Sequence, residues 1–219
     1  DILEQSPAPT GEAVYALIRQ VLGKHKRIIF NGDGYSEDWV AEAARRGLPN
    51  IKSMVEAACT LTTDKAVKLF EKFGIFTKVE LESREEIIYE TYAKTINIEA
   101  NTMIDMAGKK YIPAVVKYTR QLADTVVAVK EAGAEPAVQA GLLGEVNGKL
   151  TAAQEALGRL IQATAQATAM EDVKEQAFFY KDVVRAAMEE LRAPIDGLEM
   201  IVDKDVWPVP SYGELTFEV

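Results

Sequence analysis

A helix start followed by a long apolar stripe constrains this chain more than any other feature of its sequence. Thr77 and Glu80 have the T-x-x-E spacing of a capping box, in which each side chain accepts a hydrogen bond from the other residue's backbone N–H. Apolar or small side chains then recur at spacings of three, four and seven residues: Leu81, Ile88, Tyr92, Ile96, Ala100, Ile104 and Ala107. This spacing predicts a long amphipathic α-helix that begins at Thr77.

Three later segments repeat the same spacing, within residues 111–130, 143–167 and 173–191. Their apolar seams are centred on Val115, Leu122, Val146, Leu150, Ala153, Leu157, Leu160, Ala177, Tyr180, Val184 and Leu191. The short connections at 133–136 and 169–171 predict antiparallel neighbours in an elongated bundle. The predicted fold class is therefore mainly all-α. Residues 1–75 form short helices and loops, 76–203 a long-helix bundle, and 204–219 an extended docking tail.

Two prolines interrupt the helical segments. Pro113 either opens a new helix after Gly108 or kinks one helix running from Thr77 to Lys130, and we favour the kinked or briefly interrupted helix. Pro194 predicts a kink or a break in the last long helix before Ile195.

The tail after Lys204 has a different character. Trp207 lies next to the first of two prolines, which favour extended backbone, and Leu215, Phe217 and Val219 alternate as in a strand. This pattern predicts an extended tail that docks either along the chain's own helices or on another part of a longer subunit.

The N-terminal part reads as short elements. Residues 12–22 and 64–73 are predicted helices, and Gly74 is placed to end the second of them. Ser36 is a predicted N-cap, and Ser53 and Glu56 repeat the capping-box spacing.

Charge and cysteine content exclude several function classes. The net charge of −9 and the pI of about 4.9 disfavour nucleic acid and anionic membranes as partners. No apolar run approaches the roughly 18 residues of a membrane span, and no secretory signal pattern is visible. Cys59 is the only cysteine, so an internal disulfide is impossible. These features favour a cytoplasmic protein.

Candidate chemistry is sparse. Asn31, Asp33 and Glu42 occupy positions one, three and twelve of a calcium-loop pattern, which fails at Tyr35 and Ser36, so we interpret this segment as a turn plus a helix cap. The same segment lacks the third glycine of a dinucleotide fingerprint.

The remaining reactive side chains also favour structural interpretations. Cys59 is interpreted as a small packed residue rather than as the nucleophile of a dyad with His25. The acidic pairs Glu85–Glu86 and Glu189–Glu190 are interpreted as solvated helix faces. No catalytic, cofactor-binding or metal-binding residue is assigned.

Several blocks resemble one family over essentially the whole chain. FGIFTKVELESREEIIYETYAKTINIEA, TMIDMA, IPAVVKYT, the upstream HKRIIFNGDGYSEDWVAEAARRGL and the final VDKDVWPVPSYGELTFEV are similar to the C-terminal region of type III glutamine synthetases. Asn101 departs from the apolar residue usual at its position, and Ala58-Cys59-Thr60 replaces a more proline-like turn.

The resemblance implies what this chain is part of. Glutamine synthetases join ammonia to the γ-carboxyl of glutamate with ATP and Mg²⁺ and form homo-oligomeric rings. The motifs that carry this chemistry in the family lie upstream of the region resembled. Residues 1–75 are then the end of the catalytic domain. The chain is expected to be structural, oligomeric or regulatory, to be inactive alone, and to need no cofactor itself. Its partners are the rest of the subunit and neighbouring subunits. A free-standing helical scaffold derived from the family is the alternative.

Overall fold

The computed structural model describes residues 3, 5, 7, 10–210 and 212–217. It divides the chain into two compact units, Asp1–Ser53 and Met54–Val219. Within the described residues of both units, all regular secondary structure is helical. The all-α prediction is confirmed.

In its described residues, the first unit contains two α-helices joined by a turn and a loop. Helix α1 is Thr10–Lys24, a 3₁₀ turn is Lys26–Ile28, and α2 is Glu37–Arg45. Ser36 caps α2 as predicted, because its Oγ accepts a hydrogen bond from the Trp39 N–H at 3.3 Å.

Two stacked aromatic rings pack the loop between the 3₁₀ turn and α2 against α2. The Phe30 ring stacks on the Trp39 ring with centroids 4.3 Å apart, and the Arg46 guanidinium lies over both rings. A Cβ atom on Gly32 would come within 2.7 Å of the Phe30 ring, so a larger residue at this position would require that ring to shift.

The second unit begins with two short helices, α3 at Met54–Ala58 and α4 at Asp64–Lys72. Gly74 follows α4 with a φ of 62°, a conformation that glycine adopts without strain. The predicted capping box then opens the next helix. The Thr77 N–H donates to Glu80 Oε2 at 2.8 Å, and the Glu80 N–H donates to Thr77 Oγ1 at 3.4 Å.

One helical stretch of 54 residues follows this cap. It consists of α5 at Lys78–Met106, a π-helical turn at Ala107–Tyr111 and α6 at Ile112–Glu131. The brief interruption favoured at Pro113 is therefore a π turn. Proline lacks the N–H that would bond to the carbonyl of the preceding turn, and a wider turn just before it accommodates the proline without ending the helix.

The chain then reverses twice. Helix α7 is Ala137–Thr168 and packs against α6 and α9, while α8 at Val173–Phe179, a second π turn at Tyr180–Val184 and α9 at Arg185–Glu199 form the last long segment. Among the described residues, no helix combines the length and apolar character required to cross a bilayer.

The core of this unit follows the predicted seams. Many of the fully buried side chains belong to the predicted periodic positions, and they include Val115, Val146, Ala153, Leu160, Ala167, Ala177, Tyr180, Val184 and Leu191. In α5 the buried positions include Tyr89 and Ala93, each next to a predicted seam residue. Side-by-side packing of long helices buries one stripe of each, so the spacing alone identified most of the core.

Pro194 does not break the last helix. Helix α9 continues through it to Glu199. An interior proline costs about 3 kcal/mol. Leu191, Ile195 and Leu198 lie on either side of it and are buried, and their burial holds the helix together.

The strand-like end predicted for the tail is wrong. Residues Tyr212–Phe217 form a short helix, α10, while Val219 lies outside the described residues. A strand needs a neighbouring strand for its backbone hydrogen bonds, and none is present in the described part of this unit, whereas a helix satisfies its own. Trp207 docks on the chain's own long helix, since its ring stacks on Tyr111 at 5.1 Å.

We expect glycines in α7 to limit its stability. A Cβ atom at Gly144, Gly148 or Gly158 would meet nothing within 4 Å. Each Gly→Ala change should therefore raise the free energy of unfolding by up to about 1 kcal/mol, measured by urea denaturation. Gly133→Ala is the control and should lower it, because Gly133 has a φ of 84°. An unchanged midpoint in all three α7 variants would contradict the prediction.

Candidate functional site

A chain of polar side chains, of which Glu85 and Tyr89 are buried, lies where α3, α5 and α8 meet in the second unit. The Tyr89 hydroxyl donates to Glu85 Oε1 at 2.5 Å, and Cys59 Sγ lies 3.0 Å from the same hydroxyl oxygen. Lys174 Nζ lies 3.7 Å from Glu85 Oε1. A phenol has one hydrogen, which goes to Glu85, so the Cys59 thiol is the donor in its contact with Tyr89.

The two acidic groups of this cluster have opposite pKa shifts. Burial, with the contacts from Cys59 and Glu85, raises the pKa of Tyr89 far above its usual range. Burial alone would raise the pKa of Glu85, but hydrogen bonds from Tyr89 and Thr62 and the charge of Lys174 outweigh it, so the pKa is lowered. At neutral pH the cluster therefore contains a carboxylate and a protonated phenol.

The contacts of Cys59 bear on whether its thiol is a nucleophile or a packed side chain. Its thiol contacts the Tyr89 hydroxyl and the Val55 carbonyl oxygen at 3.6 Å, and neither group is a base that would activate a nucleophile. His25 belongs to the first unit, where it is exposed between α1 and the 3₁₀ turn. The interpretation of Cys59 as a half-buried packed residue agrees with these contacts.

The interpretation of Glu85–Glu86 as a solvated pair is wrong for one of the two residues. Glu85 is buried with 8% of its surface exposed, whereas Glu86 is exposed. Glu85 lies four residues after Leu81 and four before Tyr89, both buried, so the helical period itself placed it in the seam. That spacing is the signal that sequence reasoning missed. Glu190 is exposed as expected and pairs with Arg159 at 2.9 Å.

A cleft of about 380 Å³ lies over the cluster. It is lined mainly by acidic side chains, namely Glu82, Glu85, Glu86, Glu171 and Asp172, together with Tyr89, Val173 and Lys174. In the described part of the chain, no three His, Cys, Asp or Glu side chains are arranged to hold a metal ion. The contacts of this cluster can fix three helices together.

The segment considered as a calcium loop is a turn and a cap. Asp33 Oδ1 accepts from the Tyr35 N–H at 2.9 Å, and Ser36 Oγ donates to the Asp33 carbonyl at 2.8 Å. Both carboxylate oxygens of Glu42 accept hydrogen bonds from Arg45, at 2.6 and 2.7 Å, and one also accepts from Arg46. These guanidinium contacts lower the pKa of Glu42 to about 2. The predicted turn and the predicted cap are both present.

Comparison with known proteins gives the family. The family profile described as "Glutamine synthetase C-terminal domain" matches residues 13–130. The chain is 36% identical over 210 residues to a glutamine synthetase from Butyrivibrio fibrisolvens, covering 95% of this chain and 30% of that protein.

Two further relatives agree. The chain is 36% identical over 207 residues to a type-3 glutamine synthetase from Dictyostelium discoideum, covering 92% of this chain and 28% of the relative. It is 34% identical over 212 residues to a glutamine synthetase from Bacteroides fragilis, covering 94% and 29% respectively. The chain thus spans about 30% of the length of these relatives. It belongs to the glutamine synthetase C-terminal domain family.

Proposed function

We propose that this chain is the C-terminal portion of a glutamate–ammonia ligase and that its role in the subunit is structural. It buttresses the active-site domain and contributes contacts to neighbouring subunits, through which it can also transmit regulation. The single observation that carries this proposal is an uncovered apolar face on α1.

The face of α1 has helical spacing. Tyr15, Ile18 and Leu22 lie at i, i+3 and i+7, and their side chains are 64%, 49% and 52% exposed. Only Ala13 is buried in this helix. A contiguous exposed apolar stripe of this kind marks an interaction surface. Since the chain spans about 30% of its relatives, the whole enzyme contains further surfaces that can cover this face, and a neighbouring subunit is the occupant that we propose for it.

The reaction belongs to the whole subunit in this proposal. ATP phosphorylates the γ-carboxylate of glutamate, ammonia displaces the phosphate, and Mg²⁺ assists at acidic ligands outside this chain. We assign no catalytic, cofactor-binding or metal-binding residue here. Residues 1–75 form the end of the catalytic domain, 76–203 the helical extension and 204–219 the docking tail. The complete enzyme is a cytoplasmic homo-oligomer.

One experiment tests the role of the chain and the α1 face together. The purified chain should form no glutamine from glutamate, ammonia and ATP, whereas the whole subunit should. In the whole subunit, Ile18→Ser with Leu22→Ser should reduce assembly, measured by size-exclusion chromatography with light scattering, because it removes the apolar contact. The matched control Gln20→Ser changes another exposed residue of α1 and should assemble normally.

Two results would contradict the proposal. Glutamine formation by the isolated chain would show that the reactive groups lie within it. Normal assembly of the Ile18→Ser, Leu22→Ser subunit would show that the α1 face is not a subunit contact. The coding sequence immediately before Asp1 distinguishes this proposal from the alternative, a free-standing helical scaffold, because a start codon there favours the scaffold.

A further inference from the structure

A basic cleft lies in the first unit, in a chain whose overall charge is negative. It has a volume of about 530 Å³ and is lined by Lys26, Arg27, Ile29, Asn31, Arg45 and Arg46. This volume is within the range of about 300–1,000 Å³ typical of small-molecule sites. Residues 10–53 carry seven Lys and Arg against five Asp and Glu, while the whole chain has a net charge of −9.

The floor of the cleft is organised by one arginine. Arg46 Nη1 donates to the carbonyl oxygens of Arg27 and Ile29 at 3.2 and 2.7 Å, and Arg46 Nε donates to Glu42 at 2.5 Å. Arg46 is 23% exposed, so it is held in place with part of its guanidinium still accessible. Its donors also engage two backbone oxygens that would otherwise repel an anion.

The other cations supply excess positive charge. Glu42 is the carboxylate bound to Arg45 and Arg46, and it does not line the cleft. Lys26 and Arg27 are exposed, and neither forms an ion pair with any residue that the structure describes. The four cations together with Glu42 leave three uncompensated positive charges around one concave surface. Like charges held this close repel one another, and a bound anion relieves that repulsion.

We propose that this cleft binds a small polyphosphate group, that is, two or three linked phosphates. Guanidinium forks match phosphate oxygens geometrically, and the cleft brings three arginines and a lysine to one surface with the Asn31 amide beside them. A single carboxylate would meet exposed cations one at a time, and such pairs are weak. The acidic remainder of the chain repels a long nucleic acid, so a compact anion fits better.

Calorimetric titration of the full chain with tripolyphosphate, at constant ionic strength, tests the proposal. We expect saturable binding at one site per chain. Lys26→Gln with Arg27→Gln should weaken it about tenfold or more, because two unpaired cations are lost. Exchanging the two cations, Lys26→Arg with Arg27→Lys, should keep most of the affinity. Lys117→Gln with Lys130→Gln is the matched control, since it removes two exposed charges from the second unit, and it should bind like the unchanged chain.

A second titrant, ATP without magnesium, shows whether the cleft recognises the linked phosphates alone or a whole nucleotide. Equal affinity for ATP and tripolyphosphate indicates that only the phosphates are recognised, whereas tighter ATP binding indicates that the base also contributes. Absence of saturable binding by both titrants would overturn the proposal. So would an equal loss of affinity in the Lys117→Gln, Lys130→Gln control, which would mean that net charge rather than the cleft governs binding. Circular dichroism of each variant verifies that the helices are intact.

Discussion

Truncation of Leu160 to alanine will lower the free energy of unfolding by about 2–5 kcal/mol. Leu160 is completely buried in α7, within the cluster of apolar side chains contributed by the long helices. Alanine removes three carbon atoms and leaves a cavity, because long helices packed along their whole length cannot collapse locally around one site. Urea denaturation followed by circular dichroism measures the loss directly.

The next residue provides the matched control. Ile161 is 47% exposed on the same helix, so Ile161→Ala should cost well under half as much as Leu160→Ala. Both changes have similar effects on helix propensity, and only burial separates them. Equal destabilisation by the two variants would contradict the burial of Leu160 and the exposure of Ile161 in the structure.

The second large effect is expected at Glu85. Glu85→Gln keeps the shape of the side chain but replaces the ionised acceptor of the Tyr89 hydrogen bond, and it should cost about 1–3 kcal/mol at pH 7. The folded-state pKa of Glu85 is lowered, so its contribution is fully present above the unfolded value of about 4.5 and is lost as the pH falls through the folded value. The stability difference between the two proteins should therefore begin to shrink once the pH falls below that unfolded value.

Thermal unfolding of both proteins at pH 7 and at pH 3.5 measures this dependence. Glu86→Gln is the control, because Glu86 is the neighbouring residue and is exposed. It should shift the melting temperature little at either pH. A stability difference between Glu85→Gln and the unchanged chain that stays constant with pH would contradict an ionised Glu85 in the folded protein.

Local patterns predicted most of the helices. The capping box of Thr77 and Glu80, the cap of Ser36 and the helix end at Gly74 all depend on residues three or four apart, and each is present. The seam residues were equally readable, because burial in a helical bundle repeats with the period of the helix.

The candidate site was much less predictable. The charge of Glu85 favours an exposed side chain, and this led to a wrong prediction. Its spacing of four residues from both Leu81 and Tyr89 places it instead on the buried face of the helix. Cys59, which contacts Tyr89, and Lys174, which contacts Glu85, lie 26 and 89 residues from Glu85 along the chain, and only packing of α3 and α8 against α5 brings them together. The basic cleft depends likewise on the loop fold that places Arg27 beside Arg46.

By itself, the sequence determined the all-α class, the helix caps and most of the buried stripes, since each of these follows from residue type at short and regular spacing. The family followed from the similarity of long sequence blocks to known proteins. Tertiary structure alone decided the π turn at Tyr180–Val184, the continuity of α9 through Pro194 and the helical tail at Tyr212–Phe217. In each of those cases the local preference is weak or unfavourable. What outweighs it is the burial of side chains, or the satisfaction of backbone hydrogen bonds, within the packed unit.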